Sequence, residues 1–161
     1  MDDFEVFYRA EYSRVLSGCV ALGGEVHLAR DATDEAFARA WQRWPAVKAM
    51  AAPGGWVQAV ALNYLRRGFR RRRAERLLAP PRRSATTAVE LPDAEVWEAV
   101  RLLPPRQQTA IALRYLHDLA EADIAAAMGI SRGAVSACLA AARARLRSVL
   151  EAAENEEARH A

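Results

Sequence analysis

The stretch that decides the fold is EADIAAAMGISRGAVSACLAAARARL, Glu121 to Leu146. Two helical patterns meet in it at Gly129-Ile130-Ser131. Gly129 can take the positive φ that closes a first helix, and Ser131 can accept a backbone N–H as the N-cap of a second. Ile124, Ala125 and Met128 line the first helix, Ile130 fills the turn, and Val135, Cys138, Leu139, Ala142 and Leu146 line the second. The small Ala125 falls at the crossing point, where a larger side chain would push the helices apart. The spacing predicts a helix-turn-helix, an element that enters the major groove of DNA. An ordinary αα-corner has the same outline, so the rest of the chain must separate the two.

Outward from that motif the chain reads as all-α. Its 161 residues are 52% hydrophobic, rich in alanine, and nearly free of strand-like alternation. That length suits one ordinary domain or two small helical ones. Phe4 to Leu22 carries Phe4, Phe7, Tyr8, Val15, Leu16 and Cys19 at helical spacing, and Gly23-Gly24 ends the pattern. A second helix is expected from about Val26 to Trp44, with Leu28, Ala32, Phe37, Ala40, Trp41 and Trp44 as its buried stripe. Pro45 to Gly55 reads as a break, and a third helix opens near Trp56. Leu77 to Asp93, with Pro-Pro and a Ser/Thr run, reads as a flexible linker. Asp93 is expected to cap a helix through Leu103. Pro104-Pro105 interrupts it, Arg106 to Tyr115 forms the next helix, and the last is expected to fade near Leu150 into an acidic tail.

The net charge is only +3, but it is unevenly placed. Arg66, Arg67, Arg70, Arg71, Arg72, Arg73 and Arg76 crowd the end of the third helix, and such a cluster repels itself unless an anion neutralises it. Arginine forks onto phosphate and stacks on bases, which points to nucleic acid. The aromatic residues Trp56, Tyr64 and Phe69 lie beside the cluster, an arrangement that also holds single strands. Enzyme chemistry finds no support. His27, His117 and His160 are scattered, Cys19 and Cys138 make no ligand set, and no Gly-rich phosphate loop or nucleophile elbow is present, so neither cofactor nor metal is expected. No apolar run reaches membrane-spanning length, so a soluble cytoplasmic protein without membrane insertion is expected.

Three stretches together, RDATDEAFARAWQRW, WVQAVALNYLRR and LPPRQQTAIALRYLHDLAEADIAAAMGISRGAVSACLAAARARL, resemble the short extracytoplasmic-function (ECF) group of RNA polymerase sigma factors. The resemblance covers most of Phe4 to Leu150 in the expected order. It implies two small helical domains joined by a flexible linker: residues 1–76 as sigma domain 2, 77–92 as linker, 93–150 as sigma domain 4 with the helix-turn-helix, and 151–161 as the tail. Asp31, Asp34, Glu35 and Arg39 would dock on the clamp helices of core RNA polymerase, and the Pro45–Gly55 break would capture a flipped base. Trp56 and Asn63 match that family's WxxxxxxN motif and, with Arg66, Arg67, Arg70 and Arg71, would hold the single strand of the −10 element of promoter DNA. Ser131, Arg132, Ser136, Ala137, Ala140 and Arg143 would meet duplex DNA at the −35 element. The chain departs from the family at Asp34, Leu62 and Arg67, where glutamine, arginine and aspartate are common. Ser136, Ala137, Cys138, Ala140 and Ala141 are small where relatives often carry Lys, Arg or His. The resemblance implies core polymerase and promoter DNA as partners, and an anti-sigma factor as a further one. Two other readings stay open at this point: an autonomous helix-turn-helix regulator, and a sigma-like module that sequesters an anti-sigma factor.

Overall fold

A computed structural model describes residues 2–23, 25–78 and 93–160. The first half holds four helices, α1 (Asp3–Gly23), α2 (Val26–Gln42), the short α3 (Trp44–Val47) and α4 (Pro53–Leu78). The second holds α5 (Ala94–Arg101), α6 (Pro105–Tyr115), α7 (Glu121–Met128) and α8 (Arg132–His160). No strand occurs among the described residues. The linker expected over 77–92 begins later than its sequence implies, since Leu77 and Leu78 are still helical; residues 79–92 lie outside those described.

In the first half α1, α2 and α4 pack around Val15, Cys19, Ala29, Ala32, Phe37, Val57 and Leu62. Alanines at 29, 32, 36 and 40 are fully buried along one face of α2, so its backbone can lie close to its neighbours. A cluster of aromatic rings closes the end of the bundle: Phe4 packs edge-on against Trp41 and Trp44, and Phe7 and Tyr8 lie against Phe37. Trp41 is not part of the buried stripe assigned to it. It is 55% exposed, because the bundle ends at Phe4 and offers its outer face no further cover.

Three local expectations are corrected. The break at Pro45–Gly55 is shorter, since Pro45 lies in the first turn of α3 and α4 opens at Pro53. Proline suits a first turn because its missing N–H has no partner there anyway. Gly54 and Gly55 then sit inside α4, where a Cβ would meet the Glu11 carboxylate at 2.5 Å and Leu119 at 2.6 Å. These glycines serve close packing, not a turn. Asp93 occupies the N-cap position of α5 but in a left-handed conformation (φ 59°, ψ 39°), and its side chain makes no capping bond. Finally, α8 does not fade at Leu150 and continues to His160. Ala and Glu are strong helix formers, and Arg159 and His160 in the last turn complement the helix dipole.

The two halves pack against each other, and the buried core runs without interruption from one to the other. The plug is the α6–α7 loop. Arg114 holds it through a hydrogen bond to the Leu119 carbonyl (2.8 Å), and Asp118 turns the chain with a positive φ of 50°. His117 and Leu119 from this loop enter the angle between α1 and α4. His117 Nε2 lies 3.0 Å from Gln58 Oε1, and Gln58 is fully buried. On α1, Gly18 leaves room for that amide, since a Cβ there would stand 2.3 Å from Gln58 Oε1. Farther along, Arg101 Nε donates to the Ala21 carbonyl at 2.8 Å.

Candidate nucleic-acid interface

The helix-turn-helix has the geometry its residues imply. Gly129 closes α7 in the left-handed region (φ 65°, ψ 34°), and Ser131 Oγ accepts the Ala134 N–H at 3.1 Å. Val135, Leu139 and Ala142 bury one face of α8 against Ile124 and Ala125. The opposite face leaves Ser131, Arg132, Ser136, Ala137, Ala140 and Arg143 exposed together. Their polar groups are already engaged. Ser136 donates to the Glu121 carboxylate, Arg132 lies 3.9 Å from the same group, and Arg143 donates from Nε to the Tyr115 hydroxyl at 3.1 Å while lying over its ring. Glu121 and Tyr115 thus orient the few polar groups that this helix presents. Neither stands out in the sequence, because each lies on a different helix from the residue it holds.

On α4, Trp56 and Asn63 lie two turns apart on one side, as their spacing requires. Arg66 NH1 donates to Asn63 Oδ1 at 3.2 Å, while NH2 donates to the Thr109 hydroxyl at 2.7 Å and the Pro105 carbonyl at 2.8 Å. Arg66 is therefore a bridge between the halves. Its Nε is buried without a partner, and burial, with Arg70 nearby, pushes its guanidinium down to about 10. A cleft of about 420 Å³ separates Trp56, Asn63 and Arg66 from Met128, Gly129 and Ile130 of the helix-turn-helix. The expected single-strand surface of α4 thus faces the end of α7 and the turn of the helix-turn-helix, while none of the expected duplex-contacting residues of α8 lines the cleft. Arg67, Arg70 and Arg71 are exposed, and Arg71 pairs with Glu75 at 3.3 Å.

On α2, Asp31, Asp34 and Arg39 are exposed and Glu35 is half-buried. Arg39 Nε donates to Glu35 at 2.8 Å, and Asp34 accepts the Tyr12 hydroxyl at 2.8 Å. Burial and Asp34 raise the Tyr12 phenol to about 12, so it stays a donor. The four residues share one surface, beside the exposed rings of Tyr8 and Trp41.

Two buried groups escape a reading by motif. Gln58 sits in an apolar stripe, and His117 has no sequence neighbour that marks it; only the fold brings them together. Burial, then Arg14, pushes the His117 imidazole down to about 4, so it is neutral. Glu11, 4.0 Å from Nδ1, is too distant to offset that desolvation. Cys19 is buried too, and its thiol is pushed up to about 11 by that burial, which makes it unreactive. No group of three metal-ligating side chains occurs among the described residues, and no single helix there is long and apolar enough to cross a membrane.

Residues 7–75 match the description of sigma-70 region 2, and residues 93–146 match that of sigma-70 region 4. The chain is 28% identical over 153 residues to the RNA polymerase sigma-E factor of Streptomyces antibioticus, covering 92% of this chain and 85% of that one. It is 27% identical over 155 residues to the sigma-E factor of Streptomyces coelicolor, covering 93% and 87%. Among solved structures it resembles the sigma factor RpoE of Bartonella quintana, crystallised with the anti-sigma factor NepR (TM-score 0.74, 19% identity, 94% of this chain and 98% of that one). It also resembles CnrH in complex with the cytosolic domain of CnrY (TM-score 0.65, 22% identity, 92% and 88%). At those identities the two structures speak for the fold. With regions 2 and 4 both present, in order and over most of its length, the chain belongs to the sigma-70 family as an ECF-type sigma factor of RNA polymerase, a non-enzymatic initiation factor.

Proposed function

We propose that this sigma factor joins cytoplasmic core RNA polymerase through Asp31, Asp34, Glu35 and Arg39, and holds promoter DNA with its two halves. Trp56, Asn63, Arg66, Arg67, Arg70 and Arg71 take the single strand at the −10 element. The exposed face of α8 from Ser131 to Arg143 takes the duplex at −35. The observation that carries this reading is the pairing of a basic helix bearing Trp56 and Asn63 with a capped helix-turn-helix in one chain. Opening a promoter requires a trap for unstacked bases beside a duplex reader, and the chain supplies both.

The packing of the halves adds a condition. Arg66 is engaged by Thr109 and Pro105, and Asn63 faces the helix-turn-helix across the narrow cleft. Both elements can be occupied at once only after the α6–α7 plug withdraws from α1 and α4. Core polymerase would favour that opened form by binding it more tightly than the closed one. The two solved structures are complexes, one with an anti-sigma factor and one with the cytosolic domain of CnrY, and by analogy a partner of that kind would hold this chain inactive. Pull-down with core polymerase followed by run-off transcription tests the proposal. Transcripts should depend on the added chain. Failure to bind core, with tight sequence-specific binding of duplex by the free chain, would favour an autonomous regulator.

A further inference from the structure

A larger cleft, about 900 Å³, lies between α4 and the α5–α6 corner. Arg66, Arg67, Arg70 and Arg73 line it from α4, and Arg101 lines it from α5. No carboxylate lines it among the described residues. The contrast along α4 is informative. Arg71 and Arg72 pair with Glu75 and Glu25, whereas Arg70 and Arg73, which line the cleft, form no ion pair among the described residues. Leu62, Leu65 and Leu103 make an apolar floor, and Phe69, 36% exposed, stands in the wall.

We propose that this interdomain cleft is a binding site for a nucleoside polyphosphate, with the phosphates on Arg70, Arg73 and Arg101 and the base against Phe69. Each feature selects for that class. Like charges gathered in a partly enclosed space repel until an anion enters, and the buried Arg66 guanidinium sharpens that demand. Guanidinium forks match phosphate oxygens in pairs, so several converging arginines favour a multiply phosphorylated ligand over a single carboxylate. The volume lies in the range of small-molecule sites, and an apolar floor with an accessible ring suits a flat heterocycle. Because Arg101 belongs to the second half, a ligand bridging it to α4 binds the closed arrangement and stabilises it. Arg66, Arg67 and Arg70 line the cleft and also belong to the proposed −10 surface, so an occupied site would oppose promoter binding there. It goes beyond the promoter-binding role and does not depend on it.

Isothermal titration of the full chain with ATP, tripolyphosphate and sulfate, at one ionic strength, tests the proposal without polymerase or promoter. ATP should bind at least about tenfold more tightly than sulfate, as several charge-assisted bonds to phosphate require. Arg101→Ala should weaken ATP by about tenfold. It also removes the bond to Ala21, so Arg73→Ala, at an exposed position, serves as the second variant and should weaken ATP several-fold. Phe69→Ala should weaken ATP by about fivefold and leave tripolyphosphate nearly unchanged. Binding of ATP no tighter than sulfate, or unaffected by both arginine substitutions, would overturn the proposal.

Discussion

At the scale of single residues, the contact between His117 and Gln58 joins the halves inside their shared core. The imidazole is buried and neutral with its pKa lowered to about 4, against about 6.5 when freed. An exposed His117 therefore binds a proton that the packed one refuses across that window. Its contribution to stability is complete above about pH 6.5 and is lost as the pH falls towards about 4. Urea unfolding of wild type should show a larger loss of midpoint from about pH 7 to about pH 5 than His117→Gln does. Equal losses would mean that the packed His117 does not resist protonation. Gly18→Ala should displace Gln58 and destabilise the chain by about 1–3 kcal/mol, measured in the same assay. Motif reading finds Gly129 and Ser131, because each acts through neighbours a few residues away. It cannot find Gln58, His117, Gly18 or Tyr115, whose partners lie between 28 and 59 residues distant or are supplied by close helix packing.

At the scale of elements, periodicity locates the principal helices, since amphipathic faces are written locally. It misplaces ends wherever packing or propensity prevails. The Gly54-Gly55 pair looks like a turn but opens α4, because Glu11 and Leu119 need the space. The acidic residues after Leu150 look like a tail but extend α8, because Ala and Glu favour helix without tertiary help. Residues Glu151 to His160 are all exposed. Deleting that stretch, nearly three turns of free helix, should change stability by less than about 0.5 kcal/mol, read by thermal unfolding. Element α2 carries the polymerase-facing prediction. Reversing charge at the exposed Asp34 and the half-buried Glu35 together should weaken core binding by about tenfold with helicity unchanged, since surface charges of this kind act through complementarity more than through folding. Normal core binding with a lower melting temperature would make these residues structural.

At the scale of the whole molecule, the order of the two halves is legible from sequence, while their mutual packing is not. The contacts that close them, Arg66 to Thr109 and Arg101 to Ala21, join positions 43 and 80 residues apart. The closed arrangement, with few base-reading side chains on α8, implies that the free chain binds promoter duplex weakly and with steep salt dependence, because phosphate contacts dominate such binding. A gel-shift titration over salt checks this. Specificity should emerge when core polymerase holds both halves open and links two modest sites. The most direct test is permanganate footprinting of the −10 region with core polymerase and chain together. The account predicts reactive thymines that require both components, lost in Asn63→Ala while the closed complex persists. Unreactive thymines in the presence of core, beside tight and salt-resistant binding by the free chain, would contradict it.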